Sequence, residues 1–350
     1  MLNVNNSEWF ENMPVLSTLP AAPTPAPAAA NARKLEPHSP VPRGAVVVSK
    51  VDCVLQYEVD GPTDGLFLVH ALKGLDQLVV DERLEIEPAL SARCYPDPTM
   101  AHRFMRLSLG VGRLSLRYRA TVHRAVEAYD PAARFVPIVE LPDEVMHNLM
   151  PTRYCESDVM CQTAFKLFGH VTPGAPQVMA IVEWIHQNIE YRVGSTNSSS
   201  TAKDVYIQRA GVCRDFAHLG ITFCRALNIP ARLVAGYAPF DEPPPDFHAV
   251  FEAYIGDRWV IFDPTRLSPP ERLVRIASGR DAKDIAFATL FGPARMTSMA
   301  PEIRTLSIHT GAPQPGLEPW PQQGHEAEGH QGGRHIEHGV HHGHLLGSAQ

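Results

Sequence analysis

The chain lacks several features that would assign it to a broad class. It has no basic run or stripe, and its formal net charge is −7 over 350 residues, which gives no reason to expect a nucleic acid partner. No apolar stretch reaches the roughly 18 residues of a membrane-spanning helix. The N-terminus carries Glu8 and Glu11 rather than the basic residues of a signal peptide. We therefore expect a cytoplasmic protein that binds neither nucleic acid nor membrane.

Cysteine is scarce, and its spacing is irregular. The six cysteines are Cys53, Cys94, Cys155, Cys161, Cys213 and Cys224. They form neither a disulfide framework nor paired C-x-x-C zinc sites, so reduced thiols are expected. No EF-hand or other clear calcium loop is present. The sequence therefore predicts no cofactor and no metal site.

Both ends of the chain have a low-complexity composition. Residues 1–44 alternate proline with alanine, serine and threonine, and residues 311–350 are rich in histidine and glycine. Such segments bury little apolar surface, so both are predicted to be disordered. The histidine-rich tail is either a weak metal-binding or pH-responsive appendage, or an extension without function.

Residues 45–125 have the pattern of half-buried strands. From Val51 to Val59 and again from Leu114 to Val122, apolar residues alternate with polar ones. A period of two with one polar face indicates antiparallel strands, and turn signals such as residues 61–65 separate them. We predict a small β-sandwich with a structural or docking role. The proline-punctuated residues 126–170 form a bridging segment, with a short helical run starting near Cys155.

The pattern then becomes mixed, which predicts an α+β domain. Pro176 opens an amphipathic helix that ends near Tyr191, and Thr201 or Ser200 caps a short second helix. A third helix carries an apolar stripe from Phe216 to Leu227. Strands are predicted over residues 231–237, 248–255 and 259–262, the last two joined by a turn at 256–257. A weakly helical stretch and an apolar segment follow.

Three residues combine into a candidate catalytic site. Cys213 falls in the first turn of the third helix, where the helix dipole favours a thiolate. His248 begins one strand of the hairpin and Asp263 ends the other, so the carboxylate can hold one ring nitrogen while the second faces sulfur. His218 lies roughly 140° around the helix from Cys213, at ~100° per residue, and is expected to support the core.

These stretches resemble the bacterial transglutaminase-like superfamily, whose members are related to papain-like cysteine enzymes. The resemblance rests on residues 211–219 (Gly-Val-Cys-Arg-Asp-Phe-Ala-His-Leu), 247–249 (Phe-His-Ala) and 259–266 (Trp-Val-Ile-Phe-Asp-Pro-Thr-Arg). It covers roughly residues 150–295, and the β-rich part resembles the N-terminal region that often precedes this domain in bacterial members. The resemblance implies an α+β fold in which the cysteine helix packs on an antiparallel sheet. It also implies a catalytic domain over 171–295, with 296–310 as the domain end.

By this resemblance, Cys213 is the nucleophile, His248 the base and later the acid, and Asp263 the residue that orients the imidazole. The expected substrate is a peptide or protein amide, attacked through a thioester intermediate. Hydrolysis is the preferred outcome. Acyl transfer to an amine and a non-catalytic scaffold remain alternatives, and the oligomeric state is open.

The neighbouring residues receive supporting roles. Arg214 and Asp215 are expected to pair locally or brace the site, and Trp259 to lie beneath the hairpin. Tyr191 is expected to pack beside the site, with a role as an aromatic wall or a hydrogen-bond donor at the site as the alternative. Cys224 is expected to be buried and inert. The walls of the cleft are predicted to come from loops 194–200 and 238–246.

Overall fold

The computed structural model describes residues 41–310, except 43, 75, 98–101, 127, 128, 241 and 243–245. The predicted tail lies outside the described residues, and so does the predicted leader up to residue 40. The strands are β1 Val46–Val59, β2 Thr63–Phe67, β3 Gln77–Glu87, β4 Arg93–Pro96, β5 Arg103–Leu109, β6 Gly112–Ala125, β7 Glu190–Tyr191, β8 Ala210–Gly211, β9 Ala231–Tyr237, β10 Phe247–Ile255, β11 Arg258–Phe262, β12 Val274–Gly279, β13 Ala288–Phe291 and β14 Ala294–His309. The α-helices are α1 Asp143–Met146, α2 Cys161–Phe168, α3 Ala175–Asn188, α4 Ala202–Gln208 and α5 Cys213–Ala226, and single 3-10 turns cover Ile138–Glu140, His147–Leu149 and Pro270–Arg272.

The N-terminal part is an antiparallel β-sandwich, as the sequence predicts. One sheet has the strand order β14-β1-β6-β3 and the other β13-β2-β5-β4. Along β1 and β6, buried and less buried residues alternate almost throughout, which is the signature of strands with one face on the core. The buried face of β1 includes Val51, Cys53, Leu55 and Tyr57.

The end of the described chain returns to this sandwich. Strand β14 runs antiparallel to β1 from the pair Val46–His309 to the pair Val59–Ala294, and β13 pairs with β2. Pro301 is tolerated in β14 because β14 is an edge strand. The sandwich is therefore built from both ends of the described chain, and residues 296–310 lie in it. The domain limits predicted from the sequence stay a prediction.

The second part is an antiparallel sheet that carries α5 on one face. Its order is β11-β10-β9-β12. The helix approaches β10 closely at Gly220, where an added Cβ would lie 2.6 Å from the ring of Phe251. Helices α2, α3 and α4 pack against α5, whose residues are buried along its whole length. The predicted packing of the cysteine helix on a sheet, and the α+β class, are confirmed.

The starts of α3 and α4 and the hairpin turn lie where the sequence signals predicted them. Pro176 lies in the first turn of α3, and Thr201 caps α4 by accepting from the Asp204 amide at 3.4 Å while its own amide donates to the Asp204 carboxylate at 3.0 Å. The predicted turn is present, with positive φ angles of 57° at Gly256 and 64° at Asp257.

Two local predictions are wrong. The helical run predicted from Cys155 begins only at Cys161, because residues 157–160 form a turn that leads into α2. The stretch after Asp263, predicted as weakly helical, contains one 3-10 turn at Pro270–Arg272 and then strand β12. Consecutive prolines at the start of that turn limit its backbone hydrogen bonds, and pairing with β9 makes the next residues a buried strand.

Polar side chains fasten the sandwich to the second sheet. The Gln77 side chain accepts from the Arg275 amide at 2.6 Å and donates to the Arg275 carbonyl at 3.1 Å, as a neighbouring strand would. Asp76 pairs with both Arg275 and Arg124. These groups are buried or nearly so, and because they are mutually paired they fix how the two parts contact each other.

Candidate active site

Cys213 is the first residue of α5 and is 7% exposed. The turn before it is held by Asp215, whose carboxylate accepts from the Val212 amide at 2.9 Å and from the Arg214 guanidinium at 2.8 Å. Asp215 thus occupies the acidic position of a capping box and satisfies one of the free amides at the helix start. The predicted local pairing of Arg214 with Asp215 is present, and it fixes the backbone on both sides of the thiol.

His248 and Asp263 meet across the β10–β11 hairpin. His248 Nε2 lies 2.8 Å from Asp263 Oδ2, and both side chains are at most 2% exposed. The other carboxylate oxygen accepts from the Thr265 amide at 2.9 Å and from the Thr265 hydroxyl at 2.6 Å. Because the ionised carboxylate can only accept, Nε2 carries a proton. The carboxylate therefore fixes the orientation of the imidazole ring and leaves Nδ1 for another partner.

Cys213 is the second residue that acts on the His248 ring. His248 Nδ1 is buried and makes no hydrogen bond within the described part of the chain, yet Cys213 interacts closely enough to affect the titration of His248. Burial acts to lower the pKa of His248, but the Asp263 carboxylate and the Cys213 thiol outweigh it and raise the pKa to about 10. Burial acts to raise the pKa of Asp263, but His248 and Thr265 hold it below its usual value. A protonated imidazole ring beside the Asp263 carboxylate is therefore favoured.

Comparison with known proteins identifies the family. Residues 162–264 match the model of the transglutaminase-like superfamily, and residues 48–144 match the N-terminal domain of bacterial transglutaminase. An uncharacterised protein of Mycobacterium leprae is 30% identical over 228 residues, which cover 60% of this chain and 79% of that protein. The chain belongs to the transglutaminase-like superfamily. An uncharacterised protein of Mycobacterium tuberculosis is 32% identical over 115 residues, which cover 29% of this chain and 37% of that one.

A solved structure agrees with this assignment. A crystal structure from Cytophaga hutchinsonii, of a candidate cysteine protease, is 44% identical and has a TM-score of 0.72, covering 75% of this chain and 91% of that one. Both the family resemblance and the fold predicted from the sequence are therefore confirmed. No helix in the described ranges is long and apolar enough to cross a membrane.

The sequence predicted that loop 194–200 would form a wall of the site, but it did not predict which residues hold this loop in place. Loop 194–200 is fixed to the start of α5, because the Thr196 hydroxyl donates to Asp215 at 2.5 Å and Arg214 donates to the Asn197 carbonyl at 2.8 Å. Tyr154, which the sequence did not single out, donates to the Ser198 carbonyl at 2.6 Å. A serine- and threonine-rich loop signals local hydrogen bonding, but no signal in the sequence indicates these particular partners.

His218 does not join the triad residues. Its ring stacks on Tyr154 with centroids 5.2 Å apart, and its Nε2 accepts from the Ala282 amide at 3.2 Å. Burial and nearby arginines hold the pKa of His218 well below its usual value, so the ring is neutral. It supports the core and the wall of the site, in agreement with the role expected from its position on the helix.

Tyr191 does more than the predicted packing. Its ring packs against Phe216 with centroids 5.8 Å apart. Burial and the neighbouring Cys213 raise the pKa of Tyr191, and its hydroxyl interacts with both the thiol and the backbone of Cys213. The Tyr191 hydroxyl therefore lies close to Cys213.

The surroundings of Cys224 and Trp259 indicate structural roles for both residues. Cys224 is fully buried, and burial raises its pKa far above the usual value, which suppresses thiolate chemistry. Trp259 packs edge-on against Tyr254 and lies under the Arg232 guanidinium, 4.1 Å from the ring centroid. Among the described residues, no group of three histidine, cysteine, aspartate or glutamate side chains could hold a metal ion.

Proposed function

We propose that Cys213, His248 and Asp263 form a catalytic triad that cleaves peptide or isopeptide amides through a thioester. The observation that supports it best is the 2.8 Å contact between the His248 ring and the Asp263 carboxylate, together with the thiol at the start of α5, which interacts with the same ring. A buried imidazole with a raised pKa beside a thiol is the arrangement that activates a cysteine nucleophile.

The proposed reaction has two balanced steps. The thiolate attacks the amide carbonyl, a carbon–sulfur bond forms, and the carbon–nitrogen bond breaks as His248 Nδ1 donates its proton to the leaving amine. In the second step Nδ1 accepts a proton from water, the hydroxide attacks the thioester, and the thiolate leaves. The Tyr191 hydroxyl, which interacts with Cys213, and the first amides of α5 are the proposed donors to the developing oxyanion.

Hydrolysis is the preferred outcome over transfer to an amine. In transfer, a primary amine replaces water in the second step, and the triad acts in the same way. The similarity to a candidate cysteine protease that is 44% identical favours hydrolysis. A non-catalytic scaffold of the same fold is the second alternative.

All six cysteines are free, which supports the proposal that the protein works in the reducing cytoplasm.

Intact-protein mass spectrometry tests the proposal. The protein is incubated with a peptide amide library, with and without methylamine, and acyl adducts are mapped. We expect an adduct on Cys213 that is absent in Cys213→Ala and present in the matched control Cys224→Ala. Release of free acid in the presence of methylamine supports hydrolysis, and release of the methylamide supports transfer. A protein that forms no adduct with any amide, while folded, would support the scaffold alternative.

A further inference from the structure

An apolar cavity lies directly beside Cys213. It is bounded by the start of α5, by β9 and β10, and by the segment that leads from β12 to β13. Its apolar walls include Leu233, Ala235, Ile276, Ile285 and Phe287, and one further wall is Leu68, which follows β2 of the N-terminal sandwich. The site is thus formed by both parts of the molecule.

The charged side chains that line the cavity already have partners within the protein. Arg214 pairs with Asp215, His248 pairs with Asp263, and the carboxylate of Asp246 accepts from the Phe247 amide at 2.6 Å. A polar side chain entering the apolar part would therefore lose its hydrogen bonds to water without replacing them, which costs about 1–3 kcal/mol. An apolar side chain would gain by burial.

The volume of the cavity restricts which apolar side chains fit. The cavity measures about 110 Å³, whereas a buried cavity of about 150 Å³ holds one benzene molecule. An aliphatic side chain of the size of valine or leucine therefore fits the cavity, and we expect the larger ring of phenylalanine to fit less well. One methylene in such a pocket changes specificity by about 10- to 200-fold.

The wall supplied by Leu68 is fixed in position. The Leu68 amide donates to the Phe287 carbonyl at 2.8 Å, and the Tyr237 hydroxyl donates to the Val69 carbonyl at 2.5 Å. The Phe287 ring packs against Phe247 with centroids 4.4 Å apart. Contacts on both sides therefore hold this segment of the sandwich against the second sheet.

We propose that this cavity binds an aliphatic side chain of the acyl donor next to the carbonyl that Cys213 attacks, and that Leu68 sets its size limit. The inference rests on the proposed function, because it assigns the substrate class of the same site. It gives the N-terminal sandwich a role in selecting substrate, in addition to any structural one.

Activated esters test this assignment. The probes are N-acetyl p-nitrophenyl esters of glycine, valine, leucine, phenylalanine and aspartate, and kcat/KM is measured for each. Attack by the thiolate forms the thioester and releases p-nitrophenolate, so the reaction needs no particular leaving amine. We expect the valine and leucine esters to exceed the glycine and aspartate esters by about 10- to 200-fold, and the leucine ester to exceed phenylalanine.

Two variants change the cavity in opposite directions. Leu68→Ala enlarges it, and the phenylalanine-to-leucine ratio of kcat/KM should rise about tenfold. Ala235→Leu fills it, and the leucine-to-glycine ratio should fall about tenfold or more. Leu107→Ala is the matched control, because Leu107 is also a leucine of the sandwich, 1% exposed like Leu68, and is not part of the cavity. Its ratios should equal those of the wild type.

The outcomes separate the inference from the proposed function. If no ester acylates Cys213, the triad proposal and the inference fall together. If Cys213 is acylated but all the esters have the same kcat/KM, or the aspartate ester is preferred, only the cavity assignment is wrong. Ala235→Leu keeps the test decisive if Leu68→Ala does not fold.

Discussion

The substitution Asp263→Asn tests the triad most sharply, because the structure predicts which way the new amide would turn. Oδ1 of Asp263 accepts two hydrogen bonds from Thr265, at 2.9 and 2.6 Å. In the asparagine variant the carbonyl oxygen should stay with these donors, and the amide NH₂ group must then face His248. Nε2 of His248 would become an acceptor, so the proton of the neutral ring would move to Nδ1, the nitrogen that Asp263 does not contact. The ring could no longer accept a proton from Cys213.

The expected loss of rate follows from the lost charge of Asp263 and from the changed tautomer of His248. Hydrogen bonds to charged groups contribute about 1.5–3 kcal/mol, which corresponds to roughly a 10- to 150-fold change. In Ser-His-Asp enzymes the same substitution, with the wrong tautomer, lowers kcat by about 10⁴. We therefore expect the alkylation of Cys213 at pH 6 to slow by about 100-fold, and turnover to fall further.

The pH dependence has a defined sign. The pKa of His248 is raised to about 10, so the imidazolium that stabilises the thiolate is present below that pH and lost above it. The variant lacks the carboxylate that holds the proton on the ring. The difference between wild type and variant should therefore be largest near pH 6 and vanish as the pH rises through about 10.

The assay is the rate of Cys213 alkylation by iodoacetamide between pH 5 and pH 10, with the adduct mapped by mass spectrometry. Thr265→Val is the matched control, because it removes one hydrogen bond to Asp263 and keeps the charge. The lost hydrogen bond is one to a charged group, at about 1.5–3 kcal/mol, but the carboxylate, its bond to the Thr265 amide and its contact with His248 all remain. The alkylation rate of Thr265→Val should therefore stay closer to that of the wild type than to that of Asp263→Asn. If folded Asp263→Asn reacts at the wild-type rate at pH 6, Asp263 does not orient His248 and the triad argument fails.

Three further perturbations test the surroundings of the site. Gly220→Ala should lower the free energy of unfolding, measured in urea, by about 1–3 kcal/mol, because its Cβ would lie 2.6 Å from the Phe251 ring. The control Gly110→Ala should not show this penalty, because the space around its Cβ is open. Glu252→Gln breaks buried pairs with two arginines and should cost about 3–5 kcal/mol by the same measurement; an unchanged midpoint would contradict it. Burial raises the pKa of Asp246 to about 6, so alkylation by iodoacetate relative to iodoacetamide should fall as pH rises through 6. In Asp246→Asn that ratio should stay constant, and an identical inflection in both proteins would assign it to another group.

The parts of the site that sequence could predict are those fixed by local signals. Cys213 lies two residues after Gly211, ahead of an apolar stripe with helical spacing, and the helix begins at that residue. His248 lies in β10, and Asp263, 15 residues later, directly follows β11. The two strands are joined by a Gly-Asp turn, so the approach of the two side chains follows from hairpin geometry. Their placement was predictable because each interaction spans few residues.

The parts that could not be predicted depend on distant pairing. The pairing of β14 with β1 joins residues near 300 to residues near 50, and the alternation along each strand does not identify its neighbour. Leu68 is an ordinary apolar residue in a strand-like pattern, and only the tertiary fold brings it to the cavity beside Cys213. β12 was missed because its buried positions depend on pairing with β9, which overrides local propensity.

These distant contacts bear directly on how the site would work. The hydrogen bonds of Gln77 with Arg275 and of Leu68 with Phe287 join the sandwich to β12 and to the segment that follows it. That segment also contacts α5, because the Ala282 amide donates to His218. The cavity wall is therefore held from the sandwich on one side and from the cysteine helix on the other. A substrate side chain in this cavity would contact both parts of the protein at once, so the packing between them would influence selectivity as well as stability.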